Sequence, residues 1–222
     1  IYSRHDQVKT IYGLGAEIFI ESDYQRCCNI PKTMNRILLI VALEEEFRNL
    51  PRNFPGKIAY SGVGKINASH TTTYLINEFK PDLVLNFGSA GRVSSLETGI
   101  FEIGSVIERD FMAMPLSERG VVPFDEFPHE ISSYHSGIKC ATGDSFVTKK
   151  DSWLIERKVD VVDMELFAIA KVSKKLGVPW RSFKYITDDT NESSGKDWNE
   201  NLVKADGAFQ LVLEKFLSNS IY

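Results

Sequence analysis

From Arg36 the chain alternates between short apolar runs and helical periods. Ile37–Leu43 (ILLIVAL) is short and continuously apolar, which suits a parallel strand covered on both faces. Glu44–Leu50 reads as a short helix stopped by Pro51. Lys57–Ser61 is a weaker strand, and Gly62-Val63-Gly64 leads into a helix over about Ile66–Phe79 that Pro81 ends. Leu83–Phe87 is the next strand, closed by the turn Gly88-Ser89-Ala90-Gly91. Ile103–Glu108 and Ile138–Ala141 read as further strands. A helix from about Met164 stops at Leu176, with Gly177 as its C-cap and Pro179 just beyond. Trp180–Thr187 is the last strand, and Gly207 interrupts a final amphipathic helix running to about Leu217. This alternation predicts an α/β fold, a single domain with a central mixed, largely parallel sheet flanked by helices.

That domain spans residues 34–222, with no repeat, low-complexity tract or linker inside it. Residues 1–33 are set apart as an extension of uncertain origin. The sequence opens on Ile1, whereas Met34-Asn35-Arg36 before a strand-like run reads as a natural beginning. No basic segment leads into an apolar core there, so the layout of a signal peptide is missing. Met112–Tyr134 is the long irregular stretch, carrying Pro115, Gly120, Pro123 and Pro128 with Phe124 and Phe127 between them. Loops of that length are usually lids or binding loops.

Two acids fall where acids are expensive. At helical spacing Glu165 shares a face with Ala168, Ile169, Val172 and Leu176, the stripe that should meet the core. Asp188 directly follows the buried-strand run Phe183–Thr187. Burying a carboxylate costs on the order of several kcal/mol unless something pairs with it or uses it. Two such acids in consecutive elements indicate a site. In open α/β sheets ligands bind beyond the carboxyl ends of the strands. Those ends carry Glu44-Glu45-Glu46, Ser61–Gly64, Gly88–Gly91 and Asp188-Asp189. Carboxylates converge there without a basic cluster, which argues against an anionic substrate.

Composition narrows the classes. A net charge of −4 gives no general reason for nucleic-acid or membrane binding, and no apolar run approaches the roughly 20 residues of a membrane helix. Three cysteines, Cys27, Cys28 and Cys140, make neither a disulfide framework nor a zinc pattern and fit a reducing, cytoplasmic compartment. His5, His70, His129 and His135 lack metal-ligand spacing, so no metal is expected. Gly13-Leu14-Gly15 and Gly62-Val63-Gly64 lack the dinucleotide fingerprint, so no cofactor is expected either.

Six segments occur in a recognisable order: ALEEEF (42–47), SGVGKINAS (61–69), NFGSAGRV (86–93), ATGDSFV (141–147), VDMELFAIA (162–170) and YITDD (185–189). Together they resemble the signature segments of the 5′-methylthioadenosine/S-adenosylhomocysteine nucleosidases, members of the nucleoside phosphorylase superfamily. The resemblance covers roughly Met34 to the C-terminus. It implies hydrolysis of a purine nucleoside to release adenine, a homodimer and a place in methionine salvage. By position it puts the general base on Glu46 and the water-contacting serine on Ser89. It puts the purine-stacking ring on Phe146, with the backbone of Val147 beside the base edge. Met164 falls under the ribose, Glu165 on the ribose hydroxyls, and Asp188 on the acid that protonates purine N7.

The chemistry needs these types. Breaking a purine N-glycosidic bond builds oxocarbenium character at C1′ and negative charge on the leaving base. One acid must protonate that base while another, ionised, orients and deprotonates water. The sequence also departs from the family. Lys184 stands where an arginine is common, and the segment 109–128 does not reproduce the loop that shapes the pocket for the 5′ group. Asp189 beside Asp188 leaves two candidate acids. Two other readings stand. A phosphorylase of the same fold would need cations at Asn86-Phe87 and has only Arg92 nearby. A non-catalytic nucleoside-binding relative is opposed by the joint presence of Glu46, Glu165 and Asp188. If the chain is a dimer, the segment 112–134 is expected near the interface or pocket mouth, with Phe124 and Phe127 against the 5′ end of the substrate.

Overall fold

A computed structural model describes residues 36–149, 151–191 and 194–219. The extension 1–33 and the start at Met34 lie outside the described residues. Eight strands are present among them: β1 (Ile37–Val41), β2 (Gly56–Tyr60), β3 (Leu83–Arg92), β4 (Ile100–Glu108), β5 (Glu130–Ser132), β6 (Ile138–Thr142), β7 (Val161–Asp163) and β8 (Trp180–Asp188). The helices are α1 (Lys65–Phe79), α2 (Ser152–Glu156), α3 (Leu166–Lys175) and α4 (Ser194–Asn219), with a 3-10 turn at Glu44–Glu46.

The sheet is mixed and largely parallel. Its order is β2-β1-β3-β7-β6-β4-β5, and β8 pairs with both β3 and β4. The strands β3, β7, β6, β4 and β8 therefore close into a barrel-like ring within the expected mixed, largely parallel sheet. The pairs β3–β7, β4–β5 and β4–β8 are antiparallel and the other five are parallel.

Closure depends on β3. The expected turn at Gly88–Gly91 is instead the second half of that strand, which pairs with β8 to its end and shifts register between Ala90 and Gly91. Small residues let the strand bulge and bend where the ring must curve. They also leave room for charged side chains from β8. A Cβ on Gly88 would stand 2.9 Å from Lys184 Nζ, and one on Gly91 2.9 Å from Asp188 Oδ1.

The period-2 rule is visible in β1. Leu38 and Ile40 enter the core under α1 and α3, while Ile37, Leu39 and Val41 enter the core under α4. That second core is aromatic: Phe87 stacks on Phe209 with centroids 4.7 Å apart and meets Phe47 edge-on at 5.5 Å. Burying such rings fixes α4 across the sheet.

Other expectations shift. The helix over Glu44–Leu50 is only the 3-10 turn, and α4 runs through Gly207 without interruption. The segment 112–134 contains β5, and it is tied down elsewhere. Asp125 and Glu126 pair with Lys171 and Lys175 on α3, and Arg119 pairs with Asp151 at 2.7 Å. No helix among the described residues is long and apolar enough to cross a membrane.

Candidate active site

One end of the ring opens into a pocket of about 670 Å³, its mouth included. All seven residues singled out in the sequence line it. The 3-10 turn after β1 brings Glu46, β3 brings Ser89, and the loop after β6 brings Phe146 and Val147. The β7–α3 junction brings Met164 and Glu165, and the end of β8 brings Asp188. Trp198 on α4 and Arg109 after β4 complete the wall.

Glu46 is buried and held as an acceptor. Its Oε1 takes the Ser89 backbone N–H at 2.8 Å and the Ser89 hydroxyl at 2.6 Å, and its Oε2 takes the Leu43 N–H at 3.2 Å. Trp198 Nε1 donates to Ser89 Oγ at 2.8 Å, so the hydroxyl proton is directed at the carboxylate. Sequence reading missed Trp198, which lies nine residues beyond the last motif.

Glu165 is buried, but not on the helix face its spacing suggested. It is the N-cap of α3, and its Oε1 accepts the Gly64 N–H at 2.9 Å. Gly64 can present that N–H because it sits at φ 95°, a conformation that L side chains rarely adopt. Burial first, then Asp163 and Glu46, push the Glu165 carboxyl from 4.5 up to about 8, against the pull of Lys184 and the Gly64 N–H. Between those values the folded chain holds a proton that the unfolded chain has released. Stability therefore falls as pH rises from about 4.5 to about 8. Glu165→Gln should remove that loss. Urea titrations should find the variant more stable than the parent by on the order of a few kcal/mol near pH 9 and little different near pH 4. A parallel pH dependence in both proteins would contradict this.

Behind Glu165 lies a buried ion pair that the sequence reading missed. Lys184 Nζ is 2.8 Å from Asp163 Oδ2, and both side chains are sealed from solvent. Asp163 also accepts from Thr142 Oγ1 at 2.5 Å and from the Leu166 N–H at 2.8 Å, capping α3. Burial favours the neutral form of each partner. The mutual attraction outweighs it, holding Asp163 below the usual carboxylate range and Lys184 above the usual lysine range. Lys184 and Arg109 correct the expectation that this edge lacks cations.

The two adjacent acids separate. Asp188 lines the pocket, with Oδ1 accepting the Thr190 N–H at 3.0 Å and Oδ2 accepting from Thr187 Oγ1 at 3.2 Å. The Asp189 side chain is half exposed and pairs with Arg92, whose Nε is 2.7 Å away. Arg92 also donates to the Leu96 carbonyl at 2.5 Å. Asn86 is spent as well, donating to the Ile40 carbonyl at 3.0 Å and accepting from Ser182 at 2.8 Å. Phe124 and Phe127 are not among the lining residues.

Residues 57–218 match the family model described as the phosphorylase superfamily. The 5′-methylthioadenosine/S-adenosylhomocysteine nucleosidase of Shewanella sp. (strain MR-7) is 30% identical over 191 residues, 74% of this chain and 81% of the relative. The chain belongs to this nucleosidase family. Its namesake from Lysinibacillus sphaericus is 29% identical over 71% of the chain and 79% of the relative. Among solved structures, the Helicobacter pylori nucleosidase with butyl-thio-DADMe-Immucillin-A superposes with a TM-score of 0.71 at 25% identity, covering 85% of this chain and 98% of the other. The futalosine hydrolase of the same organism gives 0.72 at 23% identity over 85% and 97%, a likeness of fold. The family is one of N-glycosyl hydrolases, and this nucleosidase is an enzyme of that class.

Proposed function

We propose that this nucleosidase hydrolyses the N-glycosidic bond of 5′-methylthioadenosine, S-adenosylhomocysteine or a close relative, releasing adenine. The observation that carries the reading is the Glu46 carboxylate, anchored by three donors in the same pocket as Glu165 and Asp188. The purine stacks on Phe146 with its edge at the Val147 backbone, and the ribose lies over Met164. Glu165 accepts from the ribose hydroxyls and answers positive charge building on the ring. Water, held by Glu46 and Ser89, attacks C1′ and gives its proton to Glu46. The C1′–N9 electron pair leaves with the purine, and Asp188 supplies a proton to N7.

Water as the acceptor is supported by the state of the candidate phosphate ligands. Asn86 and Arg92 are both committed to other partners, and Glu46 would repel an anion. Adenine release should proceed at the same rate with and without phosphate and with a chelator present, giving free 5-methylthioribose. Strict phosphate dependence with a ribose 1-phosphate product would overturn the hydrolytic reading. A homodimer in the cytoplasm completes the proposal. It is supported by the apolar side chains of Met112, Met114, Leu116 and Phe124, all exposed on the segment 112–134. A fully active monomer in sedimentation at micromolar concentration would remove the dimer.

A further inference from the structure

Arg109 follows the last residue of β4 and is 3% exposed, yet it lines the pocket. Its guanidinium is aimed at the loop that carries Phe146 and Val147. Nη1 donates to Ser145 Oγ at 3.2 Å, and Nη2 donates to the carbonyls of Gly143, at 3.1 Å, and Ser145. Nε is buried without a hydrogen-bond partner.

The acids beside it do not bond its guanidinium, although Glu108 Oε1 takes the Arg109 backbone N–H at 3.1 Å. Glu108 and Asp110, its chain neighbours, both accept from Lys65 Nζ, at 2.9 and 2.6 Å. The second oxygen of Asp110 takes the Asp144 N–H at 2.6 Å, and Asp144 takes the Lys65 N–H at 2.8 Å. Among the described residues no carboxylate forms an ion pair with Arg109. A buried guanidinium with no carboxylate in direct ion-pair contact is costly, and neutral acceptors only partly offset it. Its positive charge is fixed in the wall of a pocket whose other charged groups are acids.

We propose that Arg109 is the electrostatic partner of the leaving purine, a cation that stabilises the base as it gains negative charge. The proposal rests on the nucleosidase reading, with the base against Phe146 and Val147. As the C1′–N9 bond breaks, its electron pair passes to N9 and spreads over the ring. Asp188 delivers a proton to N7, water adds to C1′, and the water's proton goes to Glu46. A fixed cation in a poorly solvated wall lowers the energy of the charged base without reorganising. The fork on Gly143 and Ser145 holds the guanidinium in place for this and braces the loop.

Charge and brace can be separated by the acidity of the leaving base. The substrates are 5′-methylthioadenosine and its 8-aza analogue, similar in shape but with a base that carries negative charge more easily. Arg109→Met should lower kcat/KM roughly 100-fold on the first and under about 10-fold on the second. Arg109→Lys, which keeps charge and loses the fork, should lose less and lose equally on both. Equal losses on the two substrates in Arg109→Met, matched by Arg109→Lys, would reduce Arg109 to a brace and overturn the proposal. If Arg109→Met does not fold, the parent protein decides by equilibrium binding of free bases at neutral pH. Partly anionic 8-azaadenine should bind roughly 10-fold tighter than neutral adenine, and equal or weaker binding overturns the proposal. If the parent cleaves no nucleoside, the nucleosidase reading has failed on its own, and the free-base arm still tests the cation.

Discussion

Glu46→Gln should lose nearly all turnover, on the order of 10³-fold in kcat, while still binding an inhibitor with a cationic ribose mimic, though more weakly. The expectation rests on what the substitution leaves in place. A glutamine carbonyl can keep both Ser89 donors, the N–H at 2.8 Å and the hydroxyl at 2.6 Å. The new amide would face the Leu43 N–H, donor against donor, where Oε2 now accepts at 3.2 Å. That local conflict costs about 1–3 kcal/mol, enough to lower the melting temperature without dissolving the pocket. The side chain would no longer take a proton from water. Weaker binding follows from losing one negative charge opposite the cationic mimic. Single-turnover kinetics and calorimetric binding on the same preparation separate the two effects. A variant with near-parental kcat would return Glu46 to being an acid at the start of a 3-10 turn and sink the hydrolytic mechanism.

Three acids in one pocket would repel one another if all were ionised, and their surroundings differ. Glu46 is ringed by three donors, which suits a group that must accept. Glu165 has one donor, and burial pushes its carboxyl up to about 8 in the ligand-free site. Ribose hydroxyls would supply the donors it lacks, so nucleoside binding favours its ionised form. The Asp163–Lys184 pair contributes little net charge of its own, but Lys184 pulls the Glu165 carboxyl down while Asp163 pushes it up. Removing one member of such a buried pair commonly costs about 3–5 kcal/mol. Lys184 is thus bound into the structure as well as the electrostatics.

Elements with a clear period were legible from the sequence. Ile37–Val41 is all apolar because both of its faces are buried, and the Gly177 and Pro179 signals end α3 where the chain turns. What failed was non-local. The strand β7 is three residues long, too short to show a period, and it exists because β3 and β6 flank it. Gly88–Gly91 reads as a turn by composition, but pairing with β8 overrides composition and keeps it extended. Glu165 is an expensive acid for a different reason from the one its spacing gives, since the helix begins at Leu166, two residues later than the sequence suggests, and Glu165 caps it. Lys184 sits in a strand whose apolar neighbours hide it, and only its pairing across the ring to Asp163 gives it meaning. Arg109 and Trp198 carry no motif, so their place in the pocket comes from topology alone.

Asp188→Asn should cost on the order of 10² or more in kcat with fold and nucleoside binding largely intact, and Asp189→Asn should cost far less. The asparagine carbonyl can keep the Thr190 N–H that Oδ1 accepts at 3.0 Å, and its amide can donate to Thr187 Oγ1, now 3.2 Å from Oδ2. The space is tight, since a Cβ on Gly91 would lie 2.9 Å from Oδ1, but asparagine is nearly isosteric. What is lost is a proton that can be given away: an amide donates a hydrogen bond to N7 but cannot transfer the proton. The leaving purine would then depart without neutralisation, and the penalty falls on kcat more than on KM. Asp189 has no such task. Its side chain is half exposed, and its pair with Arg92 is of the surface kind worth about 0–1 kcal/mol. Steady-state kinetics on the two variants, with thermal melting to check the fold, decide between them. A severe Asp189→Asn beside a mild Asp188→Asn would move the general acid one residue along the chain, onto a side chain that does not line the pocket.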